Sequence, residues 1–271
     1  MPIETVARSL SFINWVVVSG LAAGSLAAIL LLTHRSESTR GYRGFTVFAA
    51  GGWAFLAWLA DGALPIPSAD APIVAASPEI DALRRLLLVG VACLATLWTL
   101  QIARGGDGRL VGLITVSTAI AALIVAAFGW SPTPLRAVAL ALQLLLLAAV
   151  TGGSFAAMVL AHWYLVTPKL PEAPLLLLSR TVGTGIAVQL LLFVLWQIAG
   201  LGGIGAGWDF FAILRLVIGL IFPALLSYAG WRTAKARSME SATGLLYIGL
   251  GAVTTGTILA AGLFFGAGIL V

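Results

Sequence analysis

Residues 135–165, LRAVALALQLLLLAAVTGGSFAAMVLAHWYL, form a long apolar run in which Arg136 and His162 are the only basic side chains. A helix needs about 20 apolar residues to cross the hydrocarbon core of a bilayer. The run is long enough to span the bilayer and also to tilt, to kink at residues 151–154 or to project beyond the lipid. It therefore predicts a membrane-spanning helix. Other segments of the chain can be judged by the same two properties, length and apolarity.

The overall composition is that of a membrane protein. Hydrophobic residues make up 61% of the chain and charged residues 9%, whereas a soluble domain has roughly a quarter of its residues charged. The mean hydropathy of +1.08 agrees. The single cysteine, Cys93, excludes an internal disulfide and a multi-cysteine metal site, and no metal site is predicted.

Eight segments are long and apolar enough to span a bilayer. The predicted fold class is an all-α integral membrane protein with eight transmembrane helices near residues 10–33, 43–61, 83–103, 110–129, 135–165, 175–200, 209–231 and 243–269. Pro223 is expected to kink the seventh of these helices.

Basic residues are divided unevenly between the two alternating sets of connections. One set holds ten: Arg35, Arg40, Arg43, Arg104, Arg109, Lys169, Arg180, Arg232, Lys235 and Arg237. The other holds five (Arg8, Arg84, Arg85, Arg136 and Arg215) together with the acidic residues Glu4, Asp61, Asp70, Glu79, Asp81 and Asp209. Because basic loops stay in the cytoplasm, we expect both termini outside, in a bacterial inner membrane. Basic residues scattered in this way do not predict a nucleic-acid partner.

The two halves of the chain share sequence patterns. Residues 24–34 read GSLAAILLLTH and residues 153–162 read GSFAAMVLAH, and these segments contain the only two histidines. Further matches join residues 112–129 to 249–266, Asp81 to Asp209, and Arg85 to Arg215. We therefore expect two parallel four-helix repeats, 1–131 and 132–271, related by a pseudo-twofold axis along the membrane normal.

The sequence offers little catalytic chemistry. It contains no HExxH motif and no phosphate-binding P-loop. The acidic residues Asp61, Asp81 and Asp209 are expected at helix ends rather than in mid-span. The protein is therefore predicted not to be catalytic on its own.

His34 and His162 are the candidate cofactor-binding residues. Both are predicted near the cytoplasmic face, where two imidazoles could hold a b-type haem, or where His162, Trp163 and Tyr164 could bind a quinone head group. An alternative interpretation is that His34 is solvated and that residues 162–164 belong to an interfacial aromatic belt.

Arg85, Arg215 and Asp209 are the other candidate site residues. The two arginines are expected just inside the outer interface, where they would snorkel to head groups or pair with a nearby aspartate. Asp81 and Arg85, four residues apart, can pair, whereas Asp209 and Arg215, six apart, lie on different sides of a helix. The functional alternative is an outer-leaflet site for an anionic lipid or a partner.

These observations predict a membrane subunit of a bacterial electron-transfer complex that anchors other protein subunits and binds quinone or haem near the cytoplasmic face. The eight-helix, four-plus-four plan is similar to that of membrane anchor subunits of the polysulfide-reductase type, a resemblance of plan without a shared motif.

Two alternatives stay open besides this function. A transporter or channel would have a pore between the repeats, lined by Ser117, Thr118, Thr254 and Thr255. A structural or assembly protein would bind nothing except membrane lipids.

Overall fold

A computed structural model describes residues 2–67, 71–167 and 170–271 of the chain, with side chains from residue 9 onward. This part of the chain is helical and contains no strand. Eight helices are long and apolar enough to cross a membrane, as predicted. They are α1 (Pro2–Arg35), α2 (Arg40–Asp61), α3 (Pro78–Ala103), α4 (Arg109–Trp130), α5 (Pro134–Val166), α6 (Ala173–Ile198), α7 (Asp209–Lys235) and α8 (Met239–Ala267).

The predicted helix ends differ most from the structure in α1, which begins at Pro2, and in α3, which begins at Pro78. Asp70 and Lys169, which contributed to the predicted charge pattern, lie outside the described residues, as do the side chains of Glu4 and Arg8.

Hydroxyl side chains cap the first turns of several helices. Ser77 Oγ accepts a hydrogen bond from the Ile80 amide at 3.4 Å, and Thr133 Oγ1 accepts one from the Arg136 amide at 3.3 Å. A proline follows each of these caps, and its missing N–H costs nothing in a first turn. The same local chemistry therefore starts α3 and α5.

Helices α1 and α5 lie side by side at the centre of the bundle. In the first half α2, α3 and α4 follow one another around α1, and in the second half α6, α7 and α8 follow one another around α5. The halves also meet where α4 packs on α5 and α8 packs on α1.

The central pair touches backbone to backbone. A Cβ placed on Gly24 would lie 1.9 Å from the Ala148 carbonyl oxygen, and one placed on Gly152 would lie 2.4 Å from the Ser25 amide nitrogen. Ser25 Oγ donates to the Gly152 carbonyl oxygen at 3.2 Å across this contact. Small residues permit such an approach between membrane helices.

Helix α5 is one continuous α-helix through residues 151–154, where the sequence offered a kink as one possibility. Its two adjacent glycines face different neighbours. Gly152 meets α1, whereas a Cβ on Gly153 would lie 3.1 Å from Val182 Cγ2 of α6. The glycines therefore allow close packing on two sides of a regular helix.

Near Pro223, where a kink is expected from the sequence, α7 has a π-helical turn at Val217–Ile221. The Phe222 amide donates to the Val217 carbonyl oxygen, five residues back. Proline has no N–H to donate to the carbonyl four residues before it, so the Gly219 carbonyl oxygen lacks its usual α-helical donor. A wider turn is one way in which a helix accommodates such a break.

We predict that Gly24→Ala destabilises the protein by about 3 kcal/mol, since the added methyl group would collide with backbone that cannot rotate away. Thermal unfolding of the purified protein in detergent would measure the change. Gly52→Ala is the matched control, because nothing lies within 4 Å of a Cβ at that α2 position. Equal melting temperatures for the two variants would contradict the described α1–α5 contact.

Candidate functional site

A buried ion pair joins α2 to α3 at the end of the bundle where α1 begins and α8 ends, hereafter the termini end. Asp61 is the last residue of α2, and Arg84 lies in the second turn of α3. Their side chains are 1% and 3% exposed. Arg84 Nε donates to Asp61 Oδ2 at 2.6 Å and Nη2 donates to Oδ1 at 3.2 Å, a bidentate pair.

Further donors surround the Asp61 carboxylate. Trp15 Nε1 of α1 donates to Oδ2 at 2.9 Å, and Arg85 Nη1 lies 3.5 Å from Oδ1. Arg84 Nη1 lies 2.7 Å from Asp81 Oδ1. Two arginines thus face two aspartates, and the cluster is close to neutral despite its burial.

The expected pairing of Asp81 with Arg85 is replaced by two others. Asp81 pairs with Arg84, three residues on, because Arg84 faces the interior of the bundle. Arg85 reaches Asp61 instead, and its guanidinium lies 5.4 Å from the centre of the Trp58 ring. Asp61 is therefore the common ion-pair partner of both arginines, whereas the sequence predicted only that it lies at a helix end.

A cavity of about 550 Å³ opens beside this cluster, hereafter the Asp61 cavity. Its polar wall carries Asp61, Asp81, Arg84 and Arg85, and its aromatic wall carries Phe12, Trp130 and Phe265. Residues 64–67 and 73–76 between α2 and α3 line one side, where the Val74 amide donates to the Trp130 carbonyl oxygen at 3.1 Å. A cavity of this size and mixed character suits an amphipathic small molecule.

The two histidines lie at the other end of the bundle and have different neighbours. His34 is exposed, with Nδ1 2.9 Å from the Leu30 carbonyl oxygen of its own helix. His162 Nδ1 lies 3.4 Å from the Tyr247 hydroxyl of α8, and the two rings meet edge to face. The contacts of the described residues do not join His34 to His162.

The side chains of Trp163 and Tyr164 contact residues other than the two histidines. Trp163 packs over Gly41 and lies edge-on to Tyr42, with ring centres 6.5 Å apart. The Tyr164 hydroxyl donates to the Pro171 carbonyl oxygen, and its side chain lines a cavity of about 230 Å³ between α5 and the connection that follows it. That cavity is lined by Tyr164 but by neither histidine.

Arg215 neither snorkels nor pairs with an aspartate, contrary to expectation. It is 1% exposed, with Nη1 donating to the Gly219 carbonyl oxygen at 2.8 Å and Nη2 donating to Gln189 Oε1 at 2.9 Å. The carbonyl oxygen is the one that Pro223 leaves without an α-helical donor. Asp209 Oδ1 instead accepts from the Gly205 amide at 2.7 Å.

Two glycines make room for the Arg215 side chain. A Cβ on Gly256 of α8 would lie 2.5 Å from Arg215 Nη1 and 2.6 Å from the Cα atom of Gly219. Helices α7 and α8 therefore cross at Gly219 and Gly256, with the guanidinium packed into the crossing.

Three of the four hydroxyl residues proposed for a pore lie at the surface or bond within their own helices. Ser117 and Thr255 are exposed on the outside of α4 and α8. Thr118 and Thr255 bond to carbonyl oxygens of their own helices, at 2.8 Å and 2.9 Å. The α1–α5 contact also fills the centre of the bundle, where a pore between the halves would run.

Sequence reasoning missed Asp61, Arg84, Trp15 and Trp130 as members of one site. The available signal was a charge at the end of the second span and two at the start of the third, which lie at the same end of the bundle because consecutive spans run in opposite directions. The tryptophans carried no such signal, because their approach depends on how α1 and α4 pack.

We predict that Asp61→Asn lowers the unfolding free energy by about 3–5 kcal/mol, because it leaves a buried guanidinium without its main counter-charge. Thermal unfolding would show the loss. Asp107→Asn is the control, since Asp107 and its partner Arg109 are both largely exposed. If both substitutions changed the melting temperature equally, Asp61 would not be a buried ion-pair partner.

We predict that Gly256→Ala expels the Arg215 guanidinium and costs about 3 kcal/mol or more. Gly251→Ala on the same helix serves as control, because a Cβ there meets nothing within 4 Å. The comparison is again made by thermal unfolding, and a melting temperature as high as that of the control would contradict the described crossing of α7 and α8.

Comparison with known proteins identified no relative of this chain. No protein-family model, no curated protein and no solved structure matches the chain. A function can therefore be inferred only from the side chains and cavities described above.

Proposed function

We propose that the protein is a membrane subunit of a bacterial electron-transfer complex and that it binds a quinone in the Asp61 cavity. The observation that supports this proposal is a buried carboxylate–arginine pair in the wall of a 550 Å³ cavity that aromatic side chains also line. The cavity lies at the end of helices apolar enough to cross a bilayer, where a lipid-soluble molecule has access.

The two walls match the two parts of a quinone head group. The ring is flat and apolar and would pack against Phe12, Trp130 or Phe265. The oxygens of the oxidised form need hydrogen-bond donors, which Arg85 supplies. The hydroxyls of the reduced form need acceptors, which Asp61 and Asp81 supply.

The polar wall also offers a path for protons. Asp61 is 1% exposed and Asp81 is 45% exposed, and Arg84 contacts both. Because a guanidinium has no proton acceptor, Arg84 only orients the two carboxylates; a proton released by a bound quinol would pass to Asp81, which lines the cavity and is exposed to water. The electrons would pass to partner subunits, which this chain is proposed to anchor.

This proposal moves the quinone from His162 to the termini end. The cavity near Tyr164 has less than half the volume of the Asp61 cavity and does not include His162. The b-type haem alternative gains no support from the contacts of His34 and His162 in the described part of the chain.

The proposal retains the two parallel repeats, 1–131 and 132–271. Supporting this, exchanging α1–α4 with α5–α8 reproduces the main helix neighbours, including the exchanged contacts of α4 with α5 and of α8 with α1. A smaller contact of α2 with α5 has no equivalent of similar extent between α6 and α1. The excess of basic residues at the end opposite the termini supports both termini outside a bacterial inner membrane.

We predict that Asp61→Asn weakens binding of a short-chain ubiquinone or menaquinone analogue about tenfold or more, because a charged hydrogen-bond acceptor is lost. Calorimetric titration of the protein in nanodiscs would give the dissociation constant. His162→Ala and Asp107→Asn should bind as the wild type does, since both residues lie at the opposite end.

Ala82→Trp supplies a test that leaves the ion pair intact. Ala82 lines the cavity from α3, and a larger side chain there would occupy the space of the ring. Unchanged binding by both Asp61→Asn and Ala82→Trp, or loss of binding in His162→Ala, would overturn the location. Absence of binding by the wild-type protein would favour a structural or assembly role.

A further inference from the structure

A second group of charged and aromatic side chains lies at the end opposite the termini. It comprises Arg180 of α6 with Tyr228, Trp231, Arg232 and Lys235 of α7, hereafter the Trp231 cluster. Arg180 Cζ lies 5.3 Å and Lys235 Nζ 5.5 Å from the centre of the Trp231 ring. Arg232 Cζ lies 5.9 Å from the centre of the Tyr228 ring, and its Nη1 donates to the Tyr228 hydroxyl at 3.2 Å.

Close packing of α6 on α7 brings these residues together. Ser227 Oγ donates to the Ser179 carbonyl oxygen at 3.3 Å, and a Cβ on Gly183 would lie 3.2 Å from Ser227 Oγ. Arg180 follows Ser179 directly, and Trp231 lies one turn beyond Ser227. The α7 members follow the i, i+3, i+4, i+7 spacing and so lie along one face of the helix.

The cations of the Trp231 cluster differ from several others in the protein in having no carboxylate partner. Each of Arg84, Arg85, Arg109 and Arg237 lies within 3.5 Å of an aspartate or glutamate. Among the described residues none forms an ion pair with Arg180, Arg232 or Lys235. Each of these three charges lies within 5.9 Å of an aromatic ring centre, and a bound anion would supply the counter-charge that they lack.

The surroundings of the cluster suit a lipid anion. Tryptophan and tyrosine concentrate at the level of lipid head groups, and basic side chains beside them attract anionic lipids. Along the Tyr228 face of α7, toward the middle of the helix, lie the exposed apolar residues Leu225 and Ile221, at 63% and 42% exposure. Acyl chains can lie along this stripe, whereas a free phosphate ion would gain nothing from it.

We propose that the Trp231 cluster binds the phosphate group of an anionic phospholipid, with Arg180 and Lys235 as its main charge partners. The acyl chains lie on Leu225 and Ile221. This site is separate from the Asp61 cavity, at the other end of the bundle, and does not depend on the proposed quinone.

Native mass spectrometry of the full chain, with phosphatidylglycerol or phosphatidylcholine added to the detergent, tests the site. We expect the wild type to retain phosphatidylglycerol preferentially. Arg180→Gln combined with Lys235→Gln should weaken that binding about 30-fold, at roughly 1 kcal/mol for each charge. Arg180→Lys combined with Lys235→Arg should retain it and shows that charge is responsible.

Arg237→Gln is the matched control. Arg237 is at the same end but pairs with Glu172, so its loss should leave phosphatidylglycerol binding unchanged. Equal binding by wild type and the double glutamine variant would overturn the proposal, as would an equal loss in Arg237→Gln. Full competition by millimolar inorganic phosphate would also overturn it, since the ligand would then be the free ion.

Discussion

The contact between α1 and α5 at Gly24 and Gly152 is the constraint on which the rest of the structure depends. Helices in lipid gain no hydrophobic free energy by leaving it for one another, so close backbone packing must supply much of their attraction. The contact fixes where α1 passes α5. It thereby also fixes the position of Trp15, nine residues earlier on α1, which donates a hydrogen bond to Asp61.

The two buried arginines of the third and seventh helices are stabilised by different means. Arg84 has two carboxylates and the face of Trp130, with its Cζ 5.1 Å from the ring centre. Arg215 has neutral oxygens, one from Gln189 and one from the Gly219 backbone. A charge in a membrane is costly unless it is paired or hydrogen-bonded, and here a proline creates the free carbonyl that one arginine requires.

Much of the fold could be predicted because helices able to span a membrane are recognised in a sequence by their length and apolarity. The eight helices agree with the predicted segments, whereas the π-helical turn of α7 before Pro223 was not specifically predicted. The candidate site was less predictable. Which arginine of the pair 84–85 faces inward depends on how α3 is rotated against α2, and a connection of unknown path leaves that open.

The histidines were easy to identify as candidates, because the chain has only two of them. The sequence does not reveal which residues surround them in the fold. His162 is directed to Tyr247 and Trp163 to Tyr42 because consecutive residues of a helix point about 100° apart. Adjacent residues in sequence therefore did not make one site. Asp61, by contrast, gathers partners from α1 and α3 that are far apart in the chain.

The crossing of α7 and α8 has a consequence for how this sequence can diverge. Arg215, Gly219 and Gly256 share one closely packed volume. A larger residue at either glycine would collide both with Arg215 and with the backbone of the facing helix, so it requires a shorter side chain at position 215 together with a wider crossing. Substitutions at these positions are therefore coupled, and their individual effects do not add. In homologous chains the three residues should change as a set, and a chain that retains the arginine should retain both glycines.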